Sequence, residues 1–172
     1  MKSKAPYNTT IMVSGGFDPI HVGHVRMILA AAELGNVIVV ANSDDWLMRK
    51  KGYIFMPWDE RTEIIKSIRG VKDVVMVDDS DGTVCAALEI YKPTMFGNGG
   101  DRTTKNTPEK ELCKKLDIQM VWRLGGGKIQ SSSGLVKDAN WAPPRVDDPA
   151  VPKPDKSIFL RDTKGKNSED QS

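Results

Sequence analysis

Gly15-Gly16-Phe17-Asp18-Pro19-Ile20-His21-Val22-Gly23-His24, directly after the apolar run Ile11-Met12-Val13, decides how this chain reads. The run predicts a strand that passes through a glycine turn into a helix with two histidines on one side of its first turns. Glycines let backbone come close to a ligand, and a helix start offers unpaired N–H groups with a partial positive charge; both favour phosphate. His21 and His24 are three apart, so on a helix they project to the same side and can donate to the same oxygens. They are also the only histidines in the chain. A plain strand-turn-helix junction with two surface histidines is the bland alternative. Two histidines without a third nearby ligand make a poor zinc site, so no metal-ligating residue is assigned. The combination points to a triphosphate, with Gly15, Gly16, Phe17 and Gly23 forming the turn that would contact it.

With His21-Val22-Gly23-His24 as an HxGH signature, the chain resembles the nucleotidylyltransferase superfamily, which includes cytidylyltransferases, adenylyltransferases and, more distantly, class I aminoacyl-tRNA synthetases. The resemblance spans about residues 10 to 138. It implies that both imidazoles stabilise charge on the triphosphate as the alpha phosphorus is attacked, with no covalent enzyme intermediate.

Length and composition set the frame. A chain of 172 residues holds one domain with a real core. Lysine and arginine number 25 against 23 acidic residues, and a net charge of +2 gives no general electrostatic reason for a nucleic-acid partner. That balance, and the lack of an anticodon-binding domain, argue against a transfer RNA ligase. Cys85 and Cys113 read as ordinary reduced thiols rather than a disulfide framework. No apolar run approaches the roughly 18 residues of a membrane span, and the start lacks a signal peptide's apolar centre. The expectation is a soluble, cytoplasmic protein with no membrane partner.

Outward from the signature, strands at Ile11–Ser14, Val37–Ala41, Asp73–Val77, a fourth after Pro93, and Ile118–Trp122 alternate with helical stretches. Strand, helix, strand with connections this long means parallel pairing and right-handed crossovers. The fold class expected is α/β: a doubly wound, Rossmann-like, five-stranded parallel sheet in one domain over residues 11–141. Residues 1–10 read as a flexible lead-in. Residues 142–172, proline-rich and charged, read as extended or disordered, although Phe159 and Leu160 could dock.

In open parallel sheets ligands bind beyond the strand carboxyl ends. Asp44, just past the second strand, is therefore a candidate substrate contact, or part of a helix cap with Ser43. Arg49-Lys50-Lys51-Gly52 is expected to place three cations in a loop on that same side, where phosphate contact is plausible. Ile64, Ile65 and Ile68 are the expected buried stripe of a helix opened by Pro57. Asp78-Asp79-Ser80-Asp81 reads as a cap for a helix over Thr83–Tyr91, and Thr107-Pro108 as the start of another. Gly97-Asn98-Gly99-Gly100-Asp101, after the fourth strand, would let main chain approach a base or phosphate. Ser131, Ser132 and Ser133, behind Gly125-Gly126-Gly127-Lys128, either cap a helix or hold the outer phosphates with Lys128.

The resemblance sharpens several of these. Lys51-Gly52 matches a lysine-glycine pair, and Asp59-Glu60-Arg61 a triplet such as E-Q-R, of the sugar-phosphate and polyol-phosphate enzymes, which raises Lys51 as catalytic and Arg61 as substrate-binding. The Gly99-Gly100-Asp101 segment is similar to that of heptose 1-phosphate adenylyltransferases. The three serines match an S-T-T or S-S-S/T element. In the glycerol 3-phosphate pattern an arginine precedes those hydroxyls; here the stretch is glycine, with Lys128 or Arg123 as substitutes.

The expected reaction is attack by a phosphorylated small molecule on the alpha phosphorus of a nucleoside triphosphate, releasing pyrophosphate. Magnesium would accompany the nucleotide, with Asp18 and Asp44 orienting the acceptor or a magnesium shell. A heptose 1-phosphate adenylyltransferase is the first expectation, and a cytidylyltransferase on glycerol 3-phosphate or another polyol phosphate the second. Mononucleotide adenylyltransferases share the G-x-F-D-P-I-H-x-G-H start, and a nucleotide sensor without turnover is the non-enzymatic alternative. Relatives are commonly dimers, so the resemblance implies a homodimer.

Overall fold

The computed structural model describes residues 8–100, 102, 103, 105 and 107–142. The lead-in up to residue 7, Asp101 and the tail from residue 143 lie outside them, and so do Phe159 and Leu160.

Five strands, β1 (Thr10–Gly15), β2 (Asn36–Ala41), β3 (Val71–Val75), β4 (Met95–Gly99) and β5 (Gln119–Leu124), form one parallel sheet in the order β3-β2-β1-β4-β5. The chain runs outward from β1 to β3, then returns to β4 on the other side. The switch point therefore lies between β1 and β4, where open α/β sheets bind ligands. Among the described residues six helices connect and cover the strands: α1 (Val22–Ala32), α2 (Asp44–Lys51), α3 (Trp58–Lys66), α4 (Cys85–Tyr91), α5 (Lys110–Lys115) and α6 (Ser132–Asp138).

Strand side chains alternate between faces, so each strand feeds two cores. Ile11 and Val13 of β1 join Val37, Val39 and Ala41 of β2 against Met27, Ile28 and Ala31 of α1 and Ile65 of α3. Met12 and Val40 point the other way, to Ala87 and Leu88 of α4 and Cys113 of α5. Burial lifts the Cys113 thiol to about 11, which keeps it a neutral, apolar filler. Among the described residues no helix is long and apolar enough to cross a membrane.

Several local expectations shift. The cationic run Arg49-Lys50-Lys51 is the last turn of α2, not a loop. Ser43 caps that helix by accepting from Trp46 N–H, Asp44 and Asp45 fill its first turn, and Gly52 ends it at φ 80. Acids at the start and cations at the end suit the helix dipole, so the charges are what a short helix needs there. In α3, Ile64 is 40% exposed while Arg61 and Thr62 are buried with Ile65. Asp79 is buried rather than a helix cap: its carboxylate accepts from Asn42 Nδ2, Ser43 N–H and Ser43 Oγ, and pairs with Arg49. Asp81 and Thr83 supply the turn before α4, which begins at Cys85. Glu109, not Thr107, stands at the N-cap of α5, and its carboxylate reaches across to Val84 N–H. β3 starts two residues earlier than expected, at Val71. β4 includes Gly97, Asn98 and Gly99, which were expected to follow it.

Candidate active site

The turn after β1 is shaped by burial. Phe17 takes φ 50, is 1% exposed, and folds back so that a Cβ on Gly15 would lie 3.3 Å from its ring. A cis peptide joins Asp18 to Pro19, and the chain enters α1 at His21.

His21 is the N-cap of α1, and its Nδ1 accepts Gly23 N–H at 3.1 Å. Nδ1 of His24 accepts His21 N–H at 3.2 Å, so the two imidazoles form a reciprocal capping box. An imidazole whose Nδ1 accepts a hydrogen bond carries its proton, when neutral, on Nε2. The two rings stack with centroids 3.8 Å apart, and Phe17 presses edge-on against His24 at 4.9 Å. Gly23 must be glycine here: a Cβ would sit 2.9 Å from Cε1 of His21. Burial, and secondly the Lys128 ammonium, hold His21 below its ordinary value of 6.5. At neutral pH it is a hydrogen-bond donor without a full charge.

These rings open on a cleft of about 210 Å³, walled by Gly99 and Gly100 after β4 and by the segment from Leu124 to Ser132. The glycine walls touch: a Cβ on Gly100 would be 2.3 Å from the Gly126 carbonyl oxygen, and one on Gly125 would be 2.7 Å from Met27 N. Lys128, Ser131 and Ser132 line the cleft, whereas Ser133 is exposed outside it. Ser131 Oγ caps α6 by accepting Gly134 N–H at 3.1 Å. Ser132 Oγ donates to the Pro19 carbonyl at 2.8 Å, tying the start of α6 to the turn before the histidines.

Other candidates serve elsewhere. Gly97 packs beneath Leu124, 2.4 Å from a Cβ position, and Asn98 is 5% exposed; neither lines the cleft. Arg61, expected at the substrate, is 0% exposed. Its guanidinium donates to the carbonyls of Gly16 (2.6 Å), Asn42 (2.9 Å) and Met56 (3.0 Å) and to the Asp44 carboxylate (2.5 Å). It thus clamps the chain just past the carboxyl ends of β1 and β2, and Asp44 is its counter-ion. Asp18 is 1% exposed, and its carboxylate accepts from Lys51 Nζ, Phe55 N–H and Met56 N–H. Both carboxylates are thus engaged by the protein, Asp18 fully buried and Asp44 with 26% of its side chain exposed. Lys51 lies at the foot of the signature turn, bonded to the Asp18 carbonyl as well as its carboxylate.

Residues that the sequence did not single out complete the walls: Met27, Leu124, Ile129 and Gln130. The signal for the loop was Gly125-Gly126-Gly127 itself, since Gly125 and Gly126 take φ 77 and 87, open to glycine with little strain.

The sequence profile of the cytidylyltransferase-like family matches residues 12–138. A bifunctional protein HldE of Streptomyces coelicolor is 34% identical over 121 residues, covering 69% of this chain and 26% of that protein. An FAD synthase of Pyrococcus horikoshii is 41% identical over 112 residues, covering 64% of this chain and 75% of the relative. The chain thus spans about a quarter of the bifunctional proteins it matches and three quarters of that FAD synthase. Among solved structures, a lipopolysaccharide core biosynthesis protein from Thermoplasma volcanium GSS1 aligns with a TM-score of 0.55 at 23% identity, over 67% of this chain and 95% of that one. That is a likeness of fold.

Proposed function

The chain belongs to the cytidylyltransferase-like family of nucleotidyltransferases, and from that premise we propose that it transfers a nucleoside monophosphate, adenylate, from a triphosphate to a phosphorylated small molecule. The observation that carries this reading is the histidine pair. Both Nδ1 atoms are held by backbone N–H groups, so each neutral ring carries its donor on Nε2, and both residues line one cleft. Fixed donors aimed where charge develops lower a barrier without reorganising.

Lys128, Ser131 and Ser132 would hold the outer phosphates, and Gly99, Gly100 and the glycine loop would take the rest of the nucleotide. The acceptor's phosphate oxygen forms a bond to the alpha phosphorus while the bond to the beta phosphate breaks and pyrophosphate leaves. A phosphate monoester is already a nucleophile at neutral pH, so positioning and charge neutralisation do the work. Magnesium would neutralise charge on the triphosphate. It would be held mainly by the phosphates and water.

For the acceptor, the sequence resemblance supports heptose 1-phosphate, and the FAD synthase relative supports a phosphorylated flavin. The test is pyrophosphate release with ATP, CTP, GTP and UTP against heptose 1-phosphate, glycerol 3-phosphate, nicotinate mononucleotide and flavin mononucleotide. Release with ATP, abolished by His24→Ala, is expected. Triphosphate binding with no release from any acceptor would replace transfer with sensing.

A further inference from the structure

Tyr53, Phe55 and Trp141 take no part in the cleft of the histidines, yet they form one cluster beside the same turn. The Trp141 ring stands edge-on to Tyr53 with centroids 5.5 Å apart at 61°, and to Phe55 at 4.9 Å and 64°. Phe55 remains 36% exposed, and Tyr53 and Trp141 are half-buried. The Lys51 ammonium sits 4.8 Å over the Tyr53 ring.

This cluster is fixed from beneath. Phe55 N–H donates to the Asp18 carboxylate at 3.0 Å and Met56 N–H at 2.6 Å. Lys51 donates to the same residue through two of its three N–H groups. Asp18 lies three residues before His21, so a cation and flat apolar faces are pinned next to the turn that carries the histidines. They are also brought in from a different side. Tyr53 and Phe55 follow α2 on the β2 flank of β1, whereas the cleft is walled from β4 and β5. Trp141 reaches them from the end of α6, whose start is tied to Pro19. An in-line displacement needs its nucleophile and its leaving pyrophosphate on opposite sides of the alpha phosphorus. A second subsite across the turn from the phosphate-holding loop meets that need.

We propose that Lys51 and the Tyr53, Phe55 and Trp141 rings form the acceptor subsite, and that the acceptor is a phosphate monoester carrying a planar heteroaromatic ring. Lys51 receives its phosphate, and the aromatic cluster, exposed at Phe55, packs against its ring. Preset rings give such contact at low cost in conformational entropy. The assignment rests on the transfer reading above and selects, among phosphorylated acceptors, ring-bearing ones over polyol and sugar phosphates.

Binding in the absence of nucleotide tests it. Flavin mononucleotide and nicotinamide mononucleotide are titrated into the full chain, by flavin fluorescence and by calorimetry, beside ribose 5-phosphate and glycerol 3-phosphate. At least one ring-bearing monoester is expected to bind tenfold or more tightly than ribose 5-phosphate. Phe55→Leu and Tyr53→Leu should each erase most of that preference while the Kd for ATP, held by the other cleft, stays within twofold and shows that the fold is intact. Equal affinities for ring-bearing and ringless monoesters overturn the proposal, as does a preference that survives both substitutions. Pyrophosphate release with heptose 1-phosphate but with neither ring-bearing acceptor would sink the subsite and leave the transfer reading standing. Ring binding that Phe55→Leu removes, with no release from any pair, would sink the transfer reading and with it the acceptor role.

Discussion

The guanidinium of Arg61 reaches the Gly16 carbonyl at 2.6 Å from a side chain that is 0% exposed. One residue of α3 thereby fixes the backbone of the turn on which both histidines depend. Its other bonds, to Asn42, Met56 and Asp44, make it the common donor of three chain segments. Arg61→Met would strand those acceptors, and loss of one partner from a buried charge network costs about 3–5 kcal/mol. Urea unfolding should show this as a lower midpoint. Arg61→Lys should recover little, because an ammonium cannot reproduce the planar fork.

Capping and donation by His21 can be separated. Asparagine is a good N-cap, and His21→Asn can still accept from Gly23 N–H, so stability should change by less than ~0.5 kcal/mol. The substituted side chain has no donor at the Nε2 position, and removal of one such donor costs about 10²–10³ in kcat. His21→Ala should lose the same rate and, in addition, about 1 kcal/mol of cap. Thermal unfolding and pyrophosphate release on both variants check this; an active His21→Asn protein would remove the ring from the reaction.

The signature was legible in the sequence because everything it needs is local: an apolar strand, a glycine turn, and two histidines three apart at a helix start. The parallel sheet was legible for a similar reason, since β1 and β2 read as nearly continuous apolar runs. Arg61 was not. An arginine in a helix's early turns is exposed by default, and only acceptors delivered by the chain near Gly16, Asn42 and Met56 turn it inward. Gly97 is alike: it reads as a ligand-facing glycine until Leu124 arrives from β5 to fill the space a Cβ would need. Asp18 reads as a free carboxylate until Lys51, Phe55 and Met56 close on it from past α2.

The glycine walls of the cleft make unequal demands. A methyl at Gly100 meets the Gly126 carbonyl at 2.3 Å, backbone against backbone, whereas nothing lies within 4 Å of a Cβ at Gly127. Gly100→Ala should therefore push the walls apart and raise the Kd for ATP at least tenfold. Gly127→Ala should change it less than twofold. Calorimetric titration of both variants decides the matter, and equal effects would mean that the loop rearranges around the nucleotide.

Acid sensitivity follows from His21. Its folded pKa is lowered from 6.5, first by burial and then by Lys128, so the native state prefers the neutral ring. As pH falls below 6.5 the unfolded chain takes up the proton more readily than the native one. The stability contributed by neutral His21 is thus complete above about 6.5 and lost as pH drops from there toward the lowered native value. Protonation would also place a hydrogen on the Nδ1 that must accept Gly23 N–H, so the acid limb of kcat/KM should fall below 6.5. Lys128→Met removes the second cause and leaves the first, and should move that limb upward without reaching 6.5. With two histidines in the chain, proton NMR titration of the ring signals reads the native value directly. Moderate salt should move the wild-type His21 titration the same way by screening the ammonium, and an unmoved titration in Lys128→Met would show that burial alone sets it.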